Sequence, residues 1–230
     1  MTPKAKDAIE NADVIVGYKT YIKLIHDLIK PQTEVFSGTM GREVDRAKTA
    51  VEKACQGKYV VVVSSGDPGV YGMAGVVFEV ASLRDAELPI DVIPGVTAAT
   101  VAASKLGAPL VTDFAVISLS DLLTPWEQIE KRLEASAEAD FIIVLYNPQS
   151  IGRKKPLIKA HEILLKYRLP ETPIGIVRKA GREGEEYVIS SLKELLGEEV
   201  DMVSTVIVGN STTKIISGRM VTPRGYTFGK

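Results

Sequence analysis

The chain has 230 residues, a formal net charge of −1 at pH 7 and 45% hydrophobic residues. This composition is ordinary for a globular protein with a substantial core. Because the charges nearly balance, no global field would attract nucleic acid, so any anionic ligand must meet a local basic patch. The single cysteine, Cys55, excludes an intramolecular disulfide framework and a cysteine-cluster metal site. With only His26 and His161 as histidines, no metal is expected.

The first half of the chain alternates between helix and strand patterns. Thr2 followed by Pro3 is typical of a helix start, and the valine run 60–63 predicts a buried strand. The predicted helices cover residues 3–10, near 21–28, 42–56, near 73–84 and from 97 to about 106. The predicted strands cover residues 13–17, 34–36, 58–64 and near 90–93.

The second half begins a new α/β unit. Residues 107–112 have no periodicity and contain a proline, so we predict a domain boundary there, giving domains 1–112 and 113–230. The predicted strands cover residues 114–118, 140–146, 173–177, 187–190, 205–208 and 214–217, the last antiparallel to the one before it. The predicted helices cover residues 124–137, near 156–167 and 192–196.

No apolar run reaches the length of a membrane span, and the first residues lack the apolar core of a signal peptide. We therefore expect a cytoplasmic protein that binds neither a membrane nor nucleic acid.

Strands that alternate with helices predict sheets covered on both faces, with ligands beyond the carboxyl ends of the strands. This rule selects the loops 64–72, 94–98 and 146–148. In the first loop, Gly66 and Gly69 permit a close backbone approach, and Asp67 could accept hydrogen bonds from a ligand. The loop lacks both the P-loop ending and the complete dinucleotide-binding fingerprint. Read singly, the first two loops are better explained without a ligand, as a turn whose Asp67 caps the next helix and as an ordinary helix start. The third loop can be an Asx turn.

The loops 65–72 (SGDPGVYG) and 94–99 (PGVTAA) together resemble the S-adenosylmethionine-binding motifs of the tetrapyrrole methylase family. The second half resembles one branch of that family, the C17-methyltransferases acting on precorrin-3B or cobalt-factor III. This second resemblance lies in the segments 118–121 (SLSD), 124–126 (TPW), 145–148 (LYNP), 206–211 (VIVGNS) and 220–226 (MVTPRGY). The resemblance covers essentially the whole chain.

The resemblance implies two αβα domains with the active site in the cleft between them. It implies an S-adenosylmethionine-dependent C-methyltransferase that methylates C17 of a corrin precursor with ring contraction, in cobalamin biosynthesis, and releases S-adenosylhomocysteine. The residues implied to bind the cofactor are Ser65, Gly66, Asp67, Val70, Thr97, Ala98, Tyr146, Asn147 and Ala180.

Methyl transfer from a sulfonium needs alignment and exclusion of water rather than a protein nucleophile. The tetrapyrrole substrate implied by the resemblance carries many carboxylates, for which basic side chains are suitable partners. The candidates are Arg153, Lys154, Lys155 and Arg224. Asp121 is our candidate for an acid/base or orienting role in ring contraction, although it could equally cap a turn.

Members of this family usually begin with a strand and a Gly-x-Gly-Pro-Gly-Asp loop, and neither is found in this sequence. We expect cofactor affinity to fall if both are absent. The alternatives are a methylase for another ring carbon, diphthine synthase, or a non-catalytic tetrapyrrole or cofactor binder. A homodimer is typical of the family.

Overall fold

The computed structural model describes residues 1–84, 87–150 and 152–227. Contacts within the chain group it into two compact units, Met1–Thr97 and Ala98–Lys230. The domain boundary predicted after residue 112 stays a prediction, but this grouping places residues 98–112 with the second unit.

The first unit contains a parallel three-stranded sheet of order β2-β1-β3. Thr2 caps the first helix by accepting a hydrogen bond from the amide of Ala5, 3.3 Å away. The elements are α1 (Pro3–Glu10), β1 (Val14–Tyr18), α2 (Lys19–Leu24), a 3-10 helix (His26–Leu28), β2 (Glu34–Gly38), α3 (Glu43–Cys55), β3 (Val60–Val63) and α4 (Ala74–Ser82).

Both faces of this sheet are covered, because successive residues of a strand point to opposite sides. Ile15 and Val63 pack with Ile9 of α1 on one face. Val14 packs with Ala50 of α3 on the other face.

The prediction of a strand near residues 90–93 is wrong. The structure describes all of residues 87–97, and none of them belongs to a strand. Within the predicted strand, Ile90 packs with the preceding Leu88 against the cluster formed by Val51 of α3 and Val80 of α4. Val92 of the same segment is exposed, so the apolar composition of this segment reflects neither strand pairing nor uniform burial.

The second unit contains a mixed five-stranded sheet of order β5-β6-β9-β7-β8 and a smaller sheet of order β10-β11-β4. Its helices are α5 (Ala98–Leu106), α6 (Trp126–Glu138) and α7 (Lys155–Leu164), and the short helix predicted at 192–196 is a 3-10 helix, Leu192–Gly197. Its strands are β4 (Gly107–Ala108), β5 (Phe114–Ser118), β6 (Ile142–Tyr146), β7 (Pro173–Arg178), β8 (Glu186–Ser191), β9 (Ser204–Val208), β10 (Lys214–Ile216) and β11 (Arg219–Val221).

The larger sheet is also covered on both faces. Ile143 of β6 packs with Leu133 of α6 and Leu164 of α7. The next residue, Val144, packs on the opposite face with Leu106 of α5. This layered arrangement confirms the α/β fold class expected from the sequence. No helix in the described ranges is both long enough and apolar enough to cross a membrane.

The pairing predicted for the last strands is wrong. β9 lies between β6 and β7 and is antiparallel to both, so both of its edges are used. β10 instead pairs antiparallel with β11, which pairs parallel with the short strand β4. The residue Gly107 of β4 has φ 136°, and a Cβ there would lie 2.7 Å from the carbonyl oxygen of Met220, so this pairing favours glycine.

Candidate functional site

The loop after β3 is held in shape by the carboxylate of Asp67. One carboxylate oxygen accepts a hydrogen bond from the amide of Gly69 at 2.8 Å. The other accepts from the amide of Gly95 at 2.9 Å. Asp67 therefore does not act as a cap of α4 but joins the loops 64–72 and 94–97.

Glycines make the close approach of these two loops possible. A Cβ on Gly95 would overlap the carbonyl oxygen of Gly66, and a Cβ on Gly72 would lie 2.6 Å from that of Pro68. Gly66 itself has φ 72° and is exposed. Main chain thus lies against main chain where the two predicted cofactor loops meet.

The remaining predicted cofactor residues of the first unit lie on the same two loops. Ser65, Val70 and Thr97 are half-buried, and the amide of Val70 donates to the carbonyl of Asp67 at 3.2 Å. The structure brings Gly66 and Asp67 directly to the loop that ends in Thr97.

In the second unit, Tyr146 at the end of β6 contacts the start of α5. The tyrosine hydroxyl accepts a hydrogen bond from the amide of Ala99 at 2.6 Å. The first turn of a helix has amides without intrahelical partners, so this hydroxyl serves as a cap. Ala98 opens α5, and the structure therefore places the predicted residues Ala98 and Tyr146 next to one another.

Asn147 follows in the left-handed region, with φ 49°. Its side-chain amide donates to the hydroxyl of Ser118 at 2.9 Å, and Ser118 lies opposite Tyr146 in the parallel register of β5 and β6. Ser118 was not among the predicted site residues. Like Tyr146 it lies at the end of a predicted strand, but only the structure shows that these two strands are neighbours.

Arg153 joins the loops that follow β5 and β6. Its guanidinium donates to the carbonyl of Leu119 at 2.7 Å and to that of Asn147 at 3.1 Å. It also lies 3.6 Å from the carboxylate of Asp121. The side chain predicted to bind substrate is thus engaged within the protein and is only 21% exposed.

The other predicted basic residues are in open positions. Lys154 and Lys155 are exposed where α7 begins, and Arg224 is exposed on the segment after β11. Their role in substrate binding stays a prediction.

Ala180 lies in the turn after β7. It packs against the cluster around Ala99, as Tyr146 does, and its neighbour Gly181 has φ 70°. A hydrogen bond from Lys105, and then one from the amide of Gly181, lower the pKa of Glu185. The carboxylate of Glu185 thus stabilises this turn beside α5.

These arrangements offer turns, main-chain polar groups and hydroxyls, which suit the binding and orientation of a small molecule. In the part of the chain that the structure describes, no three His, Cys, Asp or Glu side chains are grouped so as to hold a metal ion.

The chain belongs to the family of tetrapyrrole (corrin/porphyrin) methylases, whose sequence profile matches residues 1–196. It is 50% identical to a cobalt-factor III methyltransferase of Priestia megaterium, over 98% of this chain and 42% of that protein. It is 48% identical to a probable cobalt-factor III C(17)-methyltransferase of Salmonella typhimurium, over 99% of this chain and 94% of that protein. The chain thus spans less than half of the first relative and nearly all of the second.

Solved structures agree with this assignment. The methyltransferase CobJ is 37% identical, with a TM-score of 0.92 over 97% of this chain and 93% of that one. A uroporphyrin-III C-methyl transferase from Thermus thermophilus, solved with S-adenosylhomocysteine, is 22% identical with a TM-score of 0.68, over 91% of this chain and 90% of that one. The second similarity shows the fold alone. The family and fold expected from the sequence are confirmed.

Proposed function

We propose that this chain is an S-adenosylmethionine-dependent C-methyltransferase that methylates C17 of a corrin precursor, with ring contraction, in cobalamin biosynthesis. The observation that carries the proposal is 48% identity, over nearly the full length of both proteins, to a relative named for C17 methylation of cobalt-factor III. The similarity to CobJ supports the same conclusion.

In the first unit, we propose that the cofactor is bound by Ser65, Gly66, Asp67, Val70 and Thr97. The exposed Gly66 has no side chain to block a ligand, and Asp67 fixes the loop on which the others lie. Such a rigid, open main chain fits the polar amino-acid and ribose portions of S-adenosylmethionine.

In the second unit, we propose Ala98, Tyr146, Asn147 and Ala180 for the same cofactor. When bound, S-adenosylmethionine would supply the methyl group from its sulfonium. The protein residues need only orient it and exclude water, because an in-line displacement gains mainly from alignment. A side-chain nucleophile is not required.

For the substrate, we propose that Lys154, Lys155 and Arg224 contact carboxylates of the tetrapyrrole, since exposed cations are suitable partners for carboxylates.

We also propose the acid/base or orienting role in ring contraction for Asp121, whose side chain is 41% exposed and lies beside Arg153. Asp121→Asn should slow ring contraction, as followed by mass and absorbance spectra. Unchanged contraction would end this assignment.

The decisive experiment incubates the protein with labelled S-adenosylmethionine and either cobalt-factor III or precorrin-3B. NMR of the product should locate the new methyl group at C17, and calorimetry should detect S-adenosylhomocysteine binding. A methyl group on another carbon would identify a different member of the family. Cofactor binding without methyl transfer would support a binding protein instead.

The same assay would identify which of the two precursors, cobalt-factor III or precorrin-3B, is the substrate.

We also propose that the protein forms a homodimer, to be tested by light scattering after size-exclusion chromatography. The cytoplasmic location expected from the sequence stays a prediction.

A further inference from the structure

We propose that Arg153 is a positioning residue that holds the two loops after β5 and β6 in their cofactor-binding conformation. The proposal rests on the proposed function, because it concerns the S-adenosylmethionine-binding turn at Tyr146 and Asn147. It replaces the expectation that Arg153 binds a carboxylate of the substrate.

The first step of the argument is the set of partners. The guanidinium of Arg153 donates to the carbonyls of Leu119 and Asn147, at 2.7 Å and 3.1 Å. These carbonyls belong to loops that leave neighbouring parallel strands, and the two residues are 28 apart in the chain. One rigid planar group thus fixes the separation of two loops.

The second step is the conformation that this contact maintains. Asn147 has φ 49°, a region that L-residues rarely adopt and that the surrounding contacts must stabilise. Its side chain is held by Ser118 at 2.9 Å and its carbonyl by Arg153 at 3.1 Å. Loss of Arg153 removes one of these two contacts.

The third step connects this turn to the start of α5. Asn147 directly follows Tyr146, whose hydroxyl accepts from the amide of Ala99 at 2.6 Å. A shift of the main chain at Asn147 would therefore disturb the residues beside Ala98. In this way Arg153, for which no contact with the cofactor is proposed, fixes the positions of residues for which such contacts are proposed. These residues are Ala98, Tyr146 and Asn147.

The charge of Asp121 fits the same role. Its carboxylate lies 3.6 Å from the guanidinium and is 41% exposed, against 21% for Arg153. A partly exposed ion pair at this distance contributes little by itself, so the two carbonyl contacts do most of the positioning of Arg153.

Lysine cannot reproduce this arrangement, because its ammonium is a single point of charge whereas the guanidinium presents donors in a fixed fork. Arg153→Lys should therefore restore binding only in part. This distinguishes positioning from a simple need for positive charge near the substrate.

The experiment measures the Kd of S-adenosylhomocysteine by calorimetry and the KM of the tetrapyrrole for Arg153→Ala, Arg153→Lys and the unmodified protein. We expect Arg153→Ala to raise the Kd about tenfold, the effect of losing charge-assisted hydrogen bonds. Arg153→Lys should fall between the two. Arg132→Ala, which removes an exposed arginine of α6, is the matched control and should leave the Kd unchanged.

Thermal unfolding of each variant is measured as well, to establish whether the variant folds. If Arg153→Ala does not fold, Arg153→Lys and Arg153→Gln carry the test, and a Kd for both equal to that of the unmodified protein overturns the proposal. A raised tetrapyrrole KM with an unchanged S-adenosylhomocysteine Kd would also overturn it, in favour of a substrate carboxylate contact. Failure of the unmodified protein to bind S-adenosylhomocysteine would instead reject the proposed function, and this assignment with it.

Discussion

The carboxylate of Asp67 accepts a hydrogen bond from the amide of Gly95, 28 residues farther along the chain, at 2.9 Å. Its second oxygen accepts from Gly69 at 2.8 Å. Asp67→Asn should disrupt this link, because the new NH₂ group would face an amide that also donates. We expect a loss of about 1–3 kcal/mol in the free energy of unfolding, the effect of an unsatisfied donor.

Calorimetry of S-adenosylhomocysteine should show weaker binding by Asp67→Asn, and urea unfolding should show lower stability. Asp91→Asn is the matched control, since Asp91 is exposed and pairs only at the surface with Lys4. Equal effects of both substitutions would contradict the special role of Asp67.

A second prediction concerns the close approach of Gly95 to Gly66. Gly95→Ala should destabilise the protein, because its Cβ would overlap a main-chain carbonyl that cannot move aside as a flexible side chain could. The expected loss is about 1–3 kcal/mol. Gly75→Ala, at the start of α4, places its Cβ within 4 Å of nothing beyond its chain neighbours and its own helix backbone, and should instead be stabilising by up to about 1 kcal/mol. Urea unfolding of both variants checks this opposite sign.

The cap on α5 gives a third prediction. Tyr146→Phe removes the hydroxyl that accepts from the amide of Ala99 and should lower stability by about 1 kcal/mol, as loss of a helix cap does. Thermal unfolding and S-adenosylhomocysteine affinity should both respond. Tyr167→Phe removes a hydroxyl from an exposed tyrosine of the same unit and should change neither quantity.

The last prediction concerns acid stability. Burial alone would raise the pKa of Asp201, but hydrogen bonds from Ser204, Val203 and Arg178, with the charge of Arg178, lower it. A carboxylate whose pKa is lower when folded stabilises the protein above its unfolded pKa of about 3.9. This stabilisation is lost as the pH falls through the folded pKa.

Asp201→Asn should therefore reduce the free energy of unfolding at pH 6, and the difference from the unmodified protein should shrink at pH values below about 3.9. Urea unfolding at several pH values provides the measurement. Asp7→Asn is the control, because Asp7 is an exposed residue of α1. A difference for Asp201→Asn that stays constant with pH would contradict the linkage.

Local patterns were sufficient for most of the elements and for the family. The apolar stripe of α3 and the apolar run of β6 arise from residues close together in the chain, so periodicity alone predicts them. The motif 65–72 could likewise be recognised directly, because its glycines and Asp67 are adjacent in sequence.

Only the tertiary structure decided which segments pair and which side chains meet. The partner of β10, the unpaired segment around Ile90 and the contacts of Asp67 and Arg153 all involve residues distant in sequence. A local pattern reports whether a residue will be buried, but a hydrogen bond between distant segments depends on the register and packing of everything between them. For this reason the sequence indicated only the charge of Arg153, and its hydrogen bonds to two carbonyls of its own chain are seen only in the structure.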